Sequence, residues 1–483
     1  MNSEIRQLEP KILWNHFADL NSVPRPSKKE EKVRQFILDF AKNNNLESKT
    51  DKVGNVFITK QATKGFENRK TIVLQSHLDM VCQKNNDTIF DFETQGIEMF
   101  VESDFVKANG TTLGADNGIG VAAIMSILSS SDIHHPTIEA LFTIDEETGM
   151  TGALGLEANW LSGEILLNLD TEEDDELDIG CAGGIDVSGE INFNPVILIQ
   201  PIPAYKIIVS GLQGGHSGID IHKGFGNANK ILGRILYELK DEKILVNEIQ
   251  SGGLRNAIPR EGFAIISVES QYIDAIKSKF DIISKAILNE FSLIEKNISI
   301  TFSETDIQYS AVNKETQKKI IYVLNALHNG VYRMSPDISD LVEASNNVAK
   351  VACKEGKCSI FCLTRSSVES SKLALANALK SVFELAEFTT TFSGEYPGWK
   401  PNSDSKILNL MKKKYVELFQ SEPKVVACHA GLECGILGRN YPKMDMISFG
   451  PNIFGAHSPD EKVQISSVQK FWKYLLEVLI SVD

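Results

Sequence analysis

The sequence predicts an α/β protein: a domain with a mixed central sheet flanked by helices, and an α+β domain inserted into it. Three observations predict this. Short apolar strands alternate with helices along the first 187 residues, an order that places helices on both faces of a sheet. The character changes near Ser188, and the earlier style returns near residue 395. The chain has 483 residues, beyond the roughly 250–300 at which one hydrophobic core stops growing. We therefore place the first domain at 1–187 and 395–483, and the inserted one at 188–394. Insertions of this kind join at surface loops.

In chain order, Ser27-Lys28-Lys29-Glu30 reads as a capping box that opens an amphipathic helix from Glu31 to Ala41. Thr71 to Gln75 is a short apolar strand, and Gly118 to Leu128 a buried helix rich in small residues. Ile138 to Ile144 and Ile165 to Leu169 are further strands. The inserted block opens with a strand at Tyr205 to Val209, a helix at Asn227 to Leu239, a strand at Phe263 to Val268 and a helix from Ile273. A second series runs Ile298 to Phe302, helix Glu315 to Leu327, strand Ile360 to Leu363, helix Ser366 to Ala386 and strand Phe388 to Phe392. Both series suggest β-α-β-β-α-β order, hence two α+β halves. A helix at Ile407 to Phe419, a strand at Met444 to Phe449 and a helix at Val468 to Ile480 close the chain.

The hydrophobic fraction of 42% and charged fraction of 23% are ordinary for a globular protein. The formal net charge of −15 argues against a nucleic-acid partner, which needs clustered Lys and Arg. It leaves carboxylates to spare for cations. Charges interrupt the N-terminal segment every few residues and no apolar run is long enough to span a bilayer, so a cytoplasmic protein with no membrane partner is expected. Seven Cys, an odd number without a CxxC pair, predict neither a disulfide framework nor a zinc-finger quartet.

The chemistry-bearing residues fall where strands end. His77 and Asp79 follow the strand Thr71 to Gln75. Two apart in extended chain, they point the same way, so the imidazole can face a metal with a carboxylate behind it. Asp116 lies in the Gly-flanked segment Gly114-Ala115-Asp116-Asn117-Gly118, where helix N-capping is the competing role. Asp145-Glu146-Glu147 ends another strand. Three adjacent carboxylates repel unless cations are near. Two neighbouring Glu also suit a division of labour, one ligating a metal and the other free as a general base. Asp170 follows the strand from Ile165, and His457 lies a few residues beyond the strand Met444 to Phe449. In an α/β sheet the site sits at the strands' carboxyl ends. Two His and three carboxylates there match a two-zinc centre with N and O ligands and an open position for water.

The inserted block adds three candidates. His216 lies in the Gly-rich turn Gly214 to Gly218 and can donate to a developing oxyanion. Asn256 precedes the rigid turn at Pro259. Arg365 stands at a strand end, where it can grip a carboxylate with two hydrogen bonds or form a surface ion pair. His16, His134, His135, His328, His222 and His429 receive no role.

These motifs, in this order, resemble the aminoacyl-histidine dipeptidases, the carnosine-type Xaa-His enzymes within the co-catalytic zinc peptidases. SHLDMV, GTTLGADNGIG, IDEETGMTGA, NLDTEE, GGHSGIDIH, RNAIPRE, HAGLECG and GPNIFGAHSPDE carry the resemblance along nearly the whole chain. It implies hydrolysis of dipeptides, with two Zn²⁺ per subunit that Co²⁺ or Mn²⁺ can replace. His77, Asp116 and Asp170 would hold one ion. Asp116, Glu147 and His457 would hold the other, with Asp116 bridging. Asp79 would orient His77, and Glu146 would be the general base. His216, from an inserted lid domain, would stabilise the oxyanion, and Asn256, Arg365 and the backbone around Gly435 would bind substrate. A homodimer is implied as well. The rivals are an N-acyl amino-acid deacylase or tripeptidase on the same scaffold, and a non-catalytic metal or peptide binder. Such a binder has no use for an unliganded carboxylate at Glu146.

Overall fold

A computed structural model describes residues 2–483, which divide into two compact units. The first comprises residues 2–180, Trp399–Ala427 and Leu432–Asp483, and the second Cys181–Gly398 with Cys428–Gly431. No helix among the described residues is long and apolar enough to cross a membrane, and none of the seven Cys is disulfide-bonded.

The first unit is built on an eight-stranded mixed sheet. Its middle consists of four parallel neighbours: Ile138–Thr143, Ile72–His77, Ile165–Asn168 and Asp445–Ser448. Antiparallel strands Val56–Lys60 and Glu47–Thr50 extend one side, and Glu176–Cys181 pairs antiparallel with Asp445–Ser448 on the other. Every residue of Ile72–His77 and of Ile165–Asn168 is buried. That explains why their sequences are continuous rather than alternating apolar runs: a central parallel strand is covered on both faces. The helix Ala115–Ser129 is buried on nearly all sides, and its small residues let it lie close to the sheet. A Cβ on Gly120 would stand 2.4 Å from Ser76 Oγ and 2.8 Å from Leu169 O, so only glycine fits. A separate four-stranded sheet joins Met99–Glu102, Phe105–Ala108, Lys462–Gln464 and Ile453–Phe454.

The expected helix after Ser27 is present, spanning Glu31–Asn43, but the capping box is not. The N-cap is Glu30, and Ser27 Oγ instead donates to Asp79 Oδ2 at 2.8 Å. Glu30 is pulled inward, where its Oε1 accepts from the amides of Lys28 and Asp145 at 2.8 and 3.1 Å.

The second unit carries a nine-stranded antiparallel sheet with helices packed on it. It contains two β-α-β-β-α-β halves, but they are nested rather than consecutive. One half runs Ala204–Ser210, helix Ala228–Leu239, Ile244–Gly252, Gly262–Val268, helix Ile273–Phe291 and Ser299–Thr305. The other takes its first strand, Gly183–Asn192, from before that half, and continues with helix Lys314–Ala326, Val342–Lys354, Lys357–Ser366, helix Glu369–Leu385 and Thr389–Tyr396. The sheet order confirms the match, since each half places its strands fourth, first, third, second from the edge inward. The segment read as opening the second series is therefore the last strand of the first half.

Candidate metal centre

Five chain segments bring the site together in the first unit. His77 is the last residue of its strand and is buried. Glu146 and Glu147 begin a short helix directly after the strand Ile138–Thr143 and a left-handed Asp145 (φ 51°). Asp170 follows Ile165–Asn168 by two residues. Asp116 sits at a break in its helix, with non-helical φ −78° and ψ 114°. It is not an N-cap: its carboxylate turns to the two histidines. His457 comes from a different direction, on the hairpin between Ile453–Phe454 and Lys462–Gln464, at φ 64°.

The side chains form two triads that share one member, and a third group of His77, Glu146 and Glu147 overlaps both. His77 Nε2 lies 3.1 Å from Asp116 Oδ1 and 3.4 Å from Asp170 Oδ1. His457 Nε2 lies 3.1 Å from Asp116 Oδ2 and 3.0 Å from Glu147 Oε2. Asp116 thus gives one oxygen to each imidazole. In each triad the candidate ligand atoms lie within 4.8 Å of one another. Glu147 Oε1 is buried without a hydrogen-bond partner, which is unusual unless something else binds there. Two imidazoles and three carboxylates are the donor set that zinc takes. The residues fit a pair of divalent cations.

Asp79 stands behind His77. His77 Nδ1 is 3.4 Å from Asp79 Oδ1, and Asp79 in turn accepts from Ser27 and from the amides of Glu146 and Glu147 at 3.1 and 3.3 Å. One carboxylate therefore couples the His77 strand to the Glu146–Glu147 turn. The nearby acidic group Glu30, Asp79 and Asp145 is of another kind. Its oxygens are taken up by protein donors, Asp145 by Thr148 and Thr151.

Charge is crowded here. Burial pushes the carboxyls of Glu147 and Asp170 up. Glu146 is raised well above the usual carboxylate range, first by burial and then by Asp170, Glu433 and Glu147, against the pull of His77. Burial also opposes ionisation of Asp116, but hydrogen bonds from His457 and His77 overcome it and hold this carboxyl low. His457, hydrogen-bonded to Asp116 and Glu147, is lifted to about 11. His77 is raised well above its ordinary value by Asp170 and Asp116 despite burial. Without a cation, the imidazoles carry the positive charge. The sign for metal uptake follows: a cation must displace protons whose folded-state pKa values lie above 6.5, so affinity rises with pH across the neutral range. Titration calorimetry in buffers of different ionisation enthalpy is expected to detect protons released per zinc bound, most at pH 6 to 7 and fewer as pH rises.

Two further buried groups hold these loops, and neither was singled out in the sequence. Glu461 accepts four successive amides: Leu113 and Gly114 on Oε2 at 2.7 and 3.0 Å, Ala115 and Asp116 on Oε1 at 2.7 and 3.3 Å. It ties the His457 hairpin to the Asp116 turn. The Arg25 guanidinium donates to the carbonyls of Leu78, Asp79 and Gly114, at 3.2, 3.1 and 2.5 Å. It links the His77 and Asp116 segments. The only sequence signal for Glu461 was its place in the block GAHSPDE.

The second unit holds His216, Asn256 and Arg365. His216 Nδ1 accepts from the amides of Gly218 and Ile219 at 3.2 and 3.0 Å. The ring proton therefore sits on Nε2 in the neutral form, and burial with Arg365 nearby lowers this imidazole to about 4. Arg365 is buried and not a surface ion pair: it donates to Tyr396 Oη at 2.7 Å and to Ser217 Oγ at 3.4 Å, both neutral. Asn256 is exposed, and its carbonyl accepts from Ser217 N at 2.8 Å. Gly435, in the first unit, is buried in the first turn of the helix Glu433–Asn440. Of the histidines given no role, His16, His135 and His328 meet Ser129, the Pro136 carbonyl and the Gly330 carbonyl. His429 Nε2 lies 2.8 Å from Ser345 Oγ.

Residues 73–481 match the sequence model of Peptidase family M20/M25/M40. The chain belongs to this family. It is a peptidase, as the motifs implied, and its α/β architecture is the expected one. It is 43% identical over 478 residues to the cytosol non-specific dipeptidase of Escherichia coli (strain K12), covering 99% of each chain. The crystal structure of the aminoacylhistidine dipeptidase of Vibrio alginolyticus superposes with a TM-score of 0.92 and 43% identity, covering 100% of this chain and 98% of that one. An aminopeptidase from Bacillus cereus shares the fold, at a TM-score of 0.58 and 15% identity over 98% of this chain and 99% of that one.

Proposed function

We propose that this peptidase hydrolyses dipeptides, aminoacyl-histidine (carnosine-like) substrates and other short peptides among them, with two zinc ions at the centre described. The observation that carries the reading is the pair of triads sharing Asp116, with Glu146 beside them and outside both. His77, Asp116 and Asp170 would hold one ion, and Asp116, Glu147 and His457 the other. Zinc bound there supplies Lewis acidity that acidifies a water and polarises the scissile carbonyl.

The chain's own residues do the rest. Asp79 fixes the orientation of His77. Glu146 accepts the proton of the attacking water and passes it to the departing amine. From the second unit, His216 offers Nε2–H to the oxyanion, and Arg365, hydrogen-bonded to the neutral Tyr396 and Ser217, offers its guanidinium to the peptide's terminal carboxylate. We assign Asn256 and the backbone at Gly435 to substrate contacts. The similarity to a cytosol enzyme and the cysteines without disulfides support a cytoplasmic site of action. We extend the reading to a homodimer, which light scattering tests.

The deciding experiment is a panel of Xaa-His, Cys-Gly, tripeptide and N-acyl substrates with Zn²⁺, Mn²⁺ or Co²⁺. Dipeptides, with Xaa-His among them, are expected to give the highest kcat/KM. A preference for acyl amino acids or tripeptides contradicts the reading. Failure to cleave any of them with both metals loaded favours a binding protein.

A further inference from the structure

Beneath the ligands lies a row of polar side chains in a place that apolar ones normally fill. Strand register sets Gln75 beside Asn168, Asn168 beside Ser448, and Ser448 beside Asp178, one residue from each of four neighbouring strands. All are buried, as are Thr143, Thr171 and Glu433 at the ends. The bonds run continuously. Gln75 Nε2 donates to Glu433 Oε2 at 2.6 Å and to Thr143 Oγ1 at 3.1 Å. Thr143 Oγ1 donates to the same Glu433 oxygen at 2.7 Å. Asn168 Nδ2 donates to Gln75 Oε1 at 2.5 Å, and Ser448 Oγ donates to Asn168 Oδ1. Ser448 Oγ lies 2.8 Å from Thr171 Oγ1, which donates to Asp178 Oδ2 at 2.8 Å.

Gln75 and Asn168 precede His77 and Asp170 by two positions. In the strand Ile72–His77, that spacing puts Gln75 and His77 on the same face. A buried polar row costs stability unless every member is satisfied, and an apolar row would avoid the risk. Here the amides of Gln75 and Asn168 have a fixed sense, with only Glu433 Oε1 left buried without a partner, so strand register and side-chain direction are locked together just below the site.

Resting on the proposed two-metal centre, we infer that this row is a positioning element for metal binding. Gln75 and Asn168, anchored by Glu433 at one end and by Ser448, Thr171 and Asp178 at the other, set His77 and Asp170 at the geometry that takes up the cation. Glu433 is thereby a positioning residue that acts through Gln75. Outer partners of metal ligands typically change metal affinity by about 10–100-fold when removed.

Double-mutant calorimetry separates this role from mere structural upkeep. Gln75→Met keeps the shape and removes the donors, leaving Glu433 underbonded. In Gln75→Met/Glu433→Met the Gln75–Glu433 contact becomes apolar on both sides, and the remaining cost is that of Asn168 Nδ2 and Thr143 Oγ1, which lose their acceptors. The inference predicts that the double variant still folds cooperatively, melting no lower than Gln75→Met alone, yet binds Zn²⁺ about 10–100-fold more weakly than wild type, by calorimetry on metal-stripped protein. Recovery of wild-type zinc affinity in the double variant overturns it, because the row would then serve only its own members. Should that variant not fold, Ser448→Ala interrupts the row with little change in volume: lowered zinc affinity supports the inference and unchanged affinity overturns it. A wild-type protein that takes up no zinc overturns the metal centre itself and this inference with it, a result distinct from a zinc-binding wild type whose variants bind equally well.

Discussion

Glu146→Gln is expected to retain both metal ions and lose nearly all turnover. The amide cannot accept a proton from water. General-base catalysis is worth about 10²–10⁴-fold, so kcat should fall by that factor while KM changes little. The residue lies outside both triads, next to Glu147, whose Oε2 is 3.0 Å from His457 Nε2. Metal content by plasma mass spectrometry should therefore match wild type. Near-normal kcat in this variant removes Glu146 from the base role. A drop in metal content together with activity makes it a ligand instead.

Asp116→Asn is expected to have an effect of similar or greater size by a different route. Among the described residues, Asp116 is the carboxylate at pairing distance from both histidines, at 3.1 Å on each oxygen. An amide keeps one weak acceptor and loses the charge, so both triads are weakened at once. The cations supply several kcal/mol of transition-state stabilisation, so losing them lowers kcat/KM by about a thousandfold or more. A thermal readout makes the prediction independent of activity. Zinc that binds only the folded state raises its melting temperature by mass action. Wild type should show that rise, and Asp116→Asn should show little of it. An undiminished zinc-dependent rise in the variant would place the cations elsewhere.

Much of the site could be read in the sequence because several of its candidate ligands follow apolar runs. Ile72 to Leu74 and Ile165 to Leu167 are continuous hydrophobic stretches, and the polar residues after them, His77 and Asp170, mark where buried strand gives way to loop. Three segments ending this way, at His77, Glu146–Glu147 and Asp170, could be recognised without knowing how they pack. His457, read from its place beyond the strand Met444 to Phe449, is presented by a hairpin of the four-stranded sheet and not by the end of the main-sheet strand Asp445–Ser448. The supports were illegible for a physical reason. Gln75 meets Glu433 across 358 positions, and Glu461 meets Leu113 across 348. Nothing local tells a buried Gln in a strand from an exposed one. Ser27 shows the converse error: the pattern Ser-x-x-Glu is a good local cap, but tertiary partners claimed both residues.

The inserted unit was half legible for similar reasons. Gly183–Asn192 contains three glycines and precedes the first half, so it did not announce itself as the opening strand of the second. Val342–Lys354 buries Asn346 and Asn347, residues that ordinarily mark turns. There they bond inward, Asn347 to the carbonyls of Arg255 and Ala257 and Asn346 to that of His328.

The central claim is that this chain holds two divalent cations with Asp116 between them. Anomalous diffraction at the zinc edge, from crystals grown with zinc, tests it most directly. The account predicts two peaks per chain, one among His77, Asp116 and Asp170 and one among Asp116, Glu147 and His457. A single peak, or peaks at the Glu30, Asp79 and Asp145 cluster with none touching Asp116, would contradict it.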